Sequence, residues 1–202
     1  VKNLPKVRYT WDKENALANR TISDQQFLAT ALDLFRTYGF EGVSLQQLAD
    51  ATNLEKASLY YRYPGGKDEI VMAVAGDVVA WFQANVFAPL LGPGSPRKRV
   101  AFVTGRLRSF YQGGRKACIT DVLSIPGGSA ELKAALTSAM QAWISAFAGI
   151  AKDSGLPPAL ARARAEEAIV RIEGSLVVTR VLGKTAAFER ALKLIPELLT
   201  AR

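Results

Sequence analysis

The chain contains no histidine and a single cysteine, Cys118, and these two scarcities remove much chemistry at once. Without histidine there is no imidazole general base, no histidine-dependent nucleophile triad and no histidine-containing zinc site. A lone cysteine builds neither a thiolate cluster nor a disulfide framework, and such usage fits a reducing cytoplasm. Cys118 therefore reads as a small interior hydrophobe rather than a redox centre. No unbroken apolar run approaches the ~18 residues of a membrane span, so no membrane partner is expected. The first twenty residues are polar, carry Lys2, Lys6, Arg8 and Lys13, and lack the apolar centre of a secretory signal. Residues 1–20 read as a flexible basic arm. Strand-like alternation and internal repeats are missing as well, and no cofactor is implied.

What is present is an ordinary globular composition, 49% hydrophobic and 22% charged over 202 residues, with an excess of positive charge. The net charge of +8 is unevenly placed. Residues 1–70 hold nine Lys/Arg against nine Asp/Glu, whereas residues 71–202 hold seventeen against nine. The overall basic balance is thus weak support for nucleic-acid binding, which must rest on local motifs instead. An enzyme is disfavoured by the scattered carboxylates. Gly183-Lys184-Thr185 imitates the end of a phosphate loop, but Val178 stands where the upstream glycine is required and no strand precedes it.

Helical periodicity runs through the chain. Ser23-Asp24-Gln25-Gln26 is a capping box, and Phe27, Ala31, Leu34, Phe35 and Tyr38 recur behind it until Gly39, predicting a helix over about 23–38. The box repeats at Ser44-Leu45-Gln46-Gln47, opening a short helix through Ala51. Thr52-Asn53-Leu54 interrupts it, asparagine being tolerant of a left-handed backbone. A third short helix covers about Glu55 to Tyr61, ended by Pro64-Gly65-Gly66. A fourth begins near Lys67 and runs towards Pro89. Leu91 to Pro96 is the clearest loop. Further helices are expected over 97–112, 116–123, 130–152, 158–182 and 185–200, with Pro126-Gly127-Gly128 as a stop. The fold class is all-α: a helix-turn-helix unit over 21–68 and a larger helical domain over 69–202.

Three helices with a tight turn between the second and third form a helix-turn-helix. Leu45, Leu48, Ala49, Leu54 and Leu59 suffice for its core, which leaves Gln46, Lys56, Ser58, Tyr60, Tyr61 and Arg62 outward. An amide, two cations, two phenols and a hydroxyl on so short a stretch suit phosphate and base-edge contacts. Ser44 at a helix start offers free amides to a phosphate, and Lys67 adds a point charge at another. The residues alone leave two readings open: a DNA reader, or an all-helical protein-interaction module without sequence-specific DNA binding.

A family resemblance bears on that choice. Ala31-Leu32-Asp33-Leu34-Phe35, Tyr38-Gly39-Phe40-Glu41-Gly42-Val43-Ser44, Leu48-Ala49-Asp50-Ala51 and Lys56 through Lys67 (Lys-Ala-Ser-Leu-Tyr-Tyr-Arg-Tyr-Pro-Gly-Gly-Lys) resemble the DNA-binding domain of the TetR (tetracycline-repressor) family. The resemblance implies that the third helix enters the major groove of operator DNA. It makes Ser44, Tyr60 and Lys67 phosphate contacts, and Gln46, Lys56, Ala57, Ser58 and Tyr61 candidates for base edges. Three departures stand out: Asn53 where the family usually has glycine, Glu55 where serine is common, and Arg62 for a frequent histidine, a change expected to strengthen backbone binding.

The resemblance further implies that residues beyond about 70 bind a small effector and dimerise, most members of the family being repressors. Trp81, Phe82, Phe102, Phe110, Trp143 and Phe147 come from three helices and suffice to line an apolar cavity. By spacing alone they read equally as core. Arg106, Arg108, Arg115 and Lys116 read as a solvated basic face. The helix over 158–182 has two apolar stripes, one through Ile169, Ile172 and Leu176, the other through Val170, Val177 and Val181, so it must bury two faces. With the last helix it is expected to form a four-helix bundle between two copies, through Ile169, Val170, Val177, Val181, Phe188, Leu192 and Ile195. A homodimer binding a pseudo-palindromic operator, and released when a small hydrophobic effector moves the helix over 67–88, is the mechanism expected.

Overall fold

The computed structural model describes residues 22–124 and 129–201. The arm expected over 1–20 and the stop at Pro126-Gly127-Gly128 lie outside those residues. Every regular element among the described residues is helical.

Helix α1 (Asp24–Tyr38) begins as its capping box predicts: the Gln26 amide donates to Ser23 Oγ at 3.2 Å and the Ser23 amide to Gln26 Oε1 at 3.1 Å. It ends at Gly39, whose φ of 74° few other residues would tolerate. Phe27, Ala31 and Phe35, four residues apart, are fully buried and form its inner stripe. Helices α2 (Leu45–Thr52) and α3 (Lys56–Arg62) complete the small N-terminal unit.

Helix α4 (Gly66–Phe82) is shared between two parts of the molecule. Its first half buries Ile70, Val71 and Val74, and the helix packs on α1; Val78 and Phe82 of its second half are buried farther along. It then continues through a π turn, Gln83–Phe87, into a final turn, Ala88–Leu90. Pro89 gives the reason. Its ring would strike the carbonyl four residues back, at Asn85, and it has no N–H to offer that carbonyl. Widening the turn, with the Ala88 amide donating to Gln83 O, relieves the conflict.

Helix α5 (Pro96–Phe110) follows the predicted loop, and a left-handed passage through Gln112, Gly113 and Gly114 turns the chain towards α6 (Ile119–Ser124). Gly114 is obligatory there, because a Cβ would lie 2.7 Å from Phe188 Cβ. Helices α7 (Ala130–Asp153), α8 (Pro158–Leu182) and α9 (Ala186–Thr200) form the rest, with α8 packed between α7 and α9, and α9 on α5. Gly66–Leu90 and Ala130–Asp153 are long and apolar enough to span a bilayer by composition. Here each buries part of that apolar surface within the fold, Val74, Val78 and Phe82 on one and Trp143, Phe147 and Ile150 on the other.

The two stripes of α8 divide cleanly. Ile169, Ile172 and Leu176 face the core, whereas Val170 is 69% and Val181 77% exposed and Val177 is exposed between them. This corrects the expected interface. Ile169, Phe188, Leu192 and Ile195 are buried inside this chain, because α5 and α8 consume the inner face of α9, so they are not available to a second copy.

Behind α8 lies a buried polar cluster. The Tyr111 hydroxyl donates to Cys118 Sγ at 3.5 Å, and burial pushes the Cys118 thiol up to about 11, so it stays protonated as the sequence suggested. Burial also lifts the Glu173 carboxyl from its usual 4.5 to about 7, with Asp121 adding to the shift and Cys118 and Arg180 opposing it. The folded chain therefore holds this proton to higher pH than the unfolded chain, and stability falls as pH rises from about 4.5 to about 7. Glu173→Gln removes that loss. Denaturant melts are expected to show it more stable than the parent at pH 8, by roughly 3 kcal/mol, and nearly equal at pH 4.

Candidate functional site

The α2–turn–α3 unit is built around Leu48, Ala49 and Leu59, all buried, with Leu45 and Leu54 half-buried at its margin. Ser44 caps α2 reciprocally with Gln47, as α1 is capped. Asn53 takes the left-handed conformation (φ 52°, ψ 38°), its amide donating to the Ala49 and Asp50 carbonyls, and the Leu54 amide donates to Ala49 O at 2.9 Å. Asparagine thus does what glycine would do in this turn. Glu55 opens α3 in an extended conformation without a side-chain cap, so nothing local restrains the side chains that follow.

The outward surface of α3 consists of Lys56, Ala57, Ser58, Tyr60 and Tyr61, all exposed. Tyr61 is 91% and Tyr60 53% exposed, two phenols held in water on a seven-residue helix. Aromatic rings with a polar tip are costly to leave uncovered and useful at an interface. Ser44 and Gln46 are exposed on α2; Ser44 Oγ accepts from the Gln47 amide and keeps its own proton to donate. Gln46 donates one amide proton to Asp50 Oδ1 at 2.7 Å, leaving its carbonyl and second proton free.

The two remaining cations are anchored. Lys67 donates to the Phe40 carbonyl at 2.9 Å, lies 4.3 Å over the Phe40 ring and approaches Glu41 at 4.0 Å, which ties α4 to the α1–α2 loop and leaves two of its three protons unused. Arg62 departs from expectation. It turns back to α1, 3.4 Å from Asp24 and within 3.4 Å of the Ile22 carbonyl, beside Phe27, instead of standing outward with the tyrosines. Its role here is to lock α3 on the start of α1.

A cavity of about 290 Å³ lies in the larger domain. Val78, Val79, Phe82 and Phe87 from α4 and its π turn line it, with Thr120 from α6 and Ser138, Met140 and Trp143 from α7. The π turn places Phe82 and Phe87 together, ring centroids 6.0 Å apart. Of the six aromatics expected, Phe82 and Trp143 line the cavity. Trp81 and Phe110 stack on each other at 4.1 Å behind it, and Phe147 is core, edge-on to Trp143. Phe102 is 57% exposed, because Val100, Val103 and Leu107 take the inner face of α5. Phe87 was missed; its signal was Pro89, which forces the wide turn that brings it beside Phe82.

An N-terminal helix-turn-helix with an exposed second helix is joined by one shared helix to a larger helical domain with a cavity. Residues 27–74 match the family model described as bacterial regulatory proteins, tetR family. The curated relatives include the HTH-type transcriptional regulator LmrA of Bacillus subtilis, 21% identical over 88% of this chain and 96% of LmrA. Another is RutR of Escherichia coli O157:H7, 26% identical over 72% of this chain and 71% of RutR. Among solved structures, a TetR transcriptional regulator from Legionella pneumophila superposes with a TM-score of 0.79 at 18% identity, covering 88% of this chain and 97% of its own. A cysteine mutant of the TetR-family regulator CifR, complexed with 26-bp operator DNA, gives 0.67 at 22% identity over 90% and 98%. Residues 27–74 thus match the tetR-family regulatory model, and the curated relatives that the chain resembles over most of its length are transcriptional regulators.

Ser44→Ala removes the acceptor for the Gln47 amide. It is expected to destabilise α2 by roughly 1 kcal/mol. Amide hydrogen exchange checks this: Gln47 and its neighbours should exchange faster, with α8 unaffected.

Proposed function

We propose that the chain is a ligand-responsive repressor acting in the cytoplasm, which binds a pseudo-palindromic operator as a homodimer and is released by a small hydrophobic effector. One observation carries the DNA half: the exposed face of α3, where Lys56, Ala57, Ser58, Tyr60 and Tyr61 stand in water with no covering element among the described residues. In this reading Tyr61, Lys56, Ala57 and Ser58, with Gln46 from α2, read base edges in the major groove. Ser44, Tyr60 and Lys67 hold phosphates on either side. Arg62 supports α3 from behind.

The dimer forms through the outward stripe of α8, Val170, Val177 and Val181, which Val178 and Leu182 extend. Two-fold symmetry then sets the recognition helices about one DNA turn apart (~34 Å), which is why the operator is palindromic. The effector is an uncharged, largely apolar molecule. The described lining of the cavity carries no ionisable side chain, and Thr120 and Ser138 supply only hydroxyls. Occupancy shifts α4, the element common to the cavity and the reader.

Duplexes selected from a random pool, titrated at several salt concentrations, test the reading. Lys67→Ala is expected to weaken selected and random DNA about equally and to reduce the salt slope by roughly 0.9. Gln46→Ala should instead relax preference at one base position, costing ~1–3 kcal/mol there. A parent chain with no sequence preference would leave the protein-interaction alternative in its place. For the interface, Val177→Asp is expected to sediment as a monomer at micromolar concentration and to lose about tenfold or more in operator affinity.

A further inference from the structure

Arg36 has no place in the reading above, although it is the most unusual charge in the molecule. It belongs to the last turn of α1, in the DNA-binding unit, yet it is only 9% exposed. Its guanidinium lies 4.4 Å over the Phe110 ring and 5.8 Å from that of Tyr111, both in the larger domain. Its Nε and Nη2 are buried without a hydrogen-bond partner. The contrast with Lys116, which holds Asp33 of the same helix at 2.9 Å, is informative. One cation crosses the domain boundary as an ordinary ion pair; the other crosses it on π contacts alone.

The rings beneath Arg36 lead straight to the cavity. Phe110 stacks on Trp81 at 4.1 Å and meets Phe82 edge-on at 5.5 Å. Phe82 in turn meets Trp143 at 5.1 Å, and both of these line the cavity wall. A molecule entering the cavity therefore presses on rings packed directly against the seat of the guanidinium. That seat is finely balanced. Buried N–H groups without acceptors are among the costlier features of an interior, and the cation–π attraction that opposes this cost depends steeply on ring position. Burial lowers the basicity of the group in the same sense. A small tilt of Phe110 removes the attraction and leaves the cost, and a slight rotation of α1 would return the N–H groups to water.

We propose that Arg36 is the positioning residue that couples the cavity to the DNA-binding unit: an unpaired guanidinium on α1, seated on Phe110, senses the packing of the cavity wall and sets the attitude of α1 and hence of α3. Lysine cannot substitute, because it lacks the planar, delocalised guanidinium that binds an aromatic ring best. The inference rests on the reading of the cavity as an effector site, and adds to it a route separate from the shared helix α4.

Hydrogen exchange of the full-length chain, with and without N-phenyl-1-naphthylamine as an uncharged apolar probe, tests it without DNA. Probe binding is followed by its own fluorescence. In the parent, the probe is expected to change exchange of amides over 44–62 by roughly fivefold or more. Arg36→Met should bind the probe with unchanged affinity but lose at least half of the response over 44–62, the remainder being what α4 carries. Phe110→Leu, which keeps the charge and removes its seat, should lose the same part of the response, and Arg36→Lys should not restore it. A response undiminished in both Arg36→Met and Phe110→Leu overturns the role of Arg36 while leaving the effector site standing. Binding without any response in the parent overturns it too. A probe that fails to bind the parent sinks the cavity reading, and this inference with it.

Discussion

One helix has to satisfy two cores at once, and the arrangement of the molecule follows from that demand. Ile70, Val71 and Val74 of α4 are buried where α1 packs, and Val78, Phe82 and Val86 are buried farther along. A helix is stiff over such a length, so neither end can move far without the other following. The protein is thus two packing problems solved on one rod. The ion pair at the boundary, Lys116 with Asp33, adds orientation more than stability, being partly exposed.

Polar groups do different work in the two halves. In the N-terminal unit Ser23 and Ser44 finish backbone ends, each closing a reciprocal cap, and the polar side chains of α3 that face outward remain in water. Elsewhere some buried groups leave atoms without hydrogen-bond partners, among them Glu173 on α8, and Arg36 of α1 where it meets Phe110 of the larger domain. Buried polar groups cost stability unless fully bonded.

Much of this was legible in the residues. Both capping boxes, the left-handed Asn53 and the glycine stops gave element boundaries to within a residue or two, because each rests on local backbone chemistry. The outward set on α3 was legible for the same reason: once Leu59 is inside, Ser58, Tyr60 and Tyr61 must face out. What could not be read was any choice between two equivalent faces. Both stripes of α8 are apolar, and only the packing of α7 and α9 decides that Ile169 goes in and Val170 out. Phe102 and Phe87 exchanged roles because the inner face of α5 was already filled and because a π turn does not follow the ordinary helical period. Arg62 was expected outward and turns back to α1, since a long side chain follows its neighbours, not its charge.

The wide turn at Gln83–Phe87 carries a geometric corollary. Regular winding advances about 100° per residue, so a segment holding one surplus residue rotates everything beyond it by that angle relative to everything before. The Ala88–Leu90 end consequently presents Leu90 to α5 and α7 in a phase independent of the one that aims Ile70 and Val74 at α1. The two ends of the rod are therefore clocked separately.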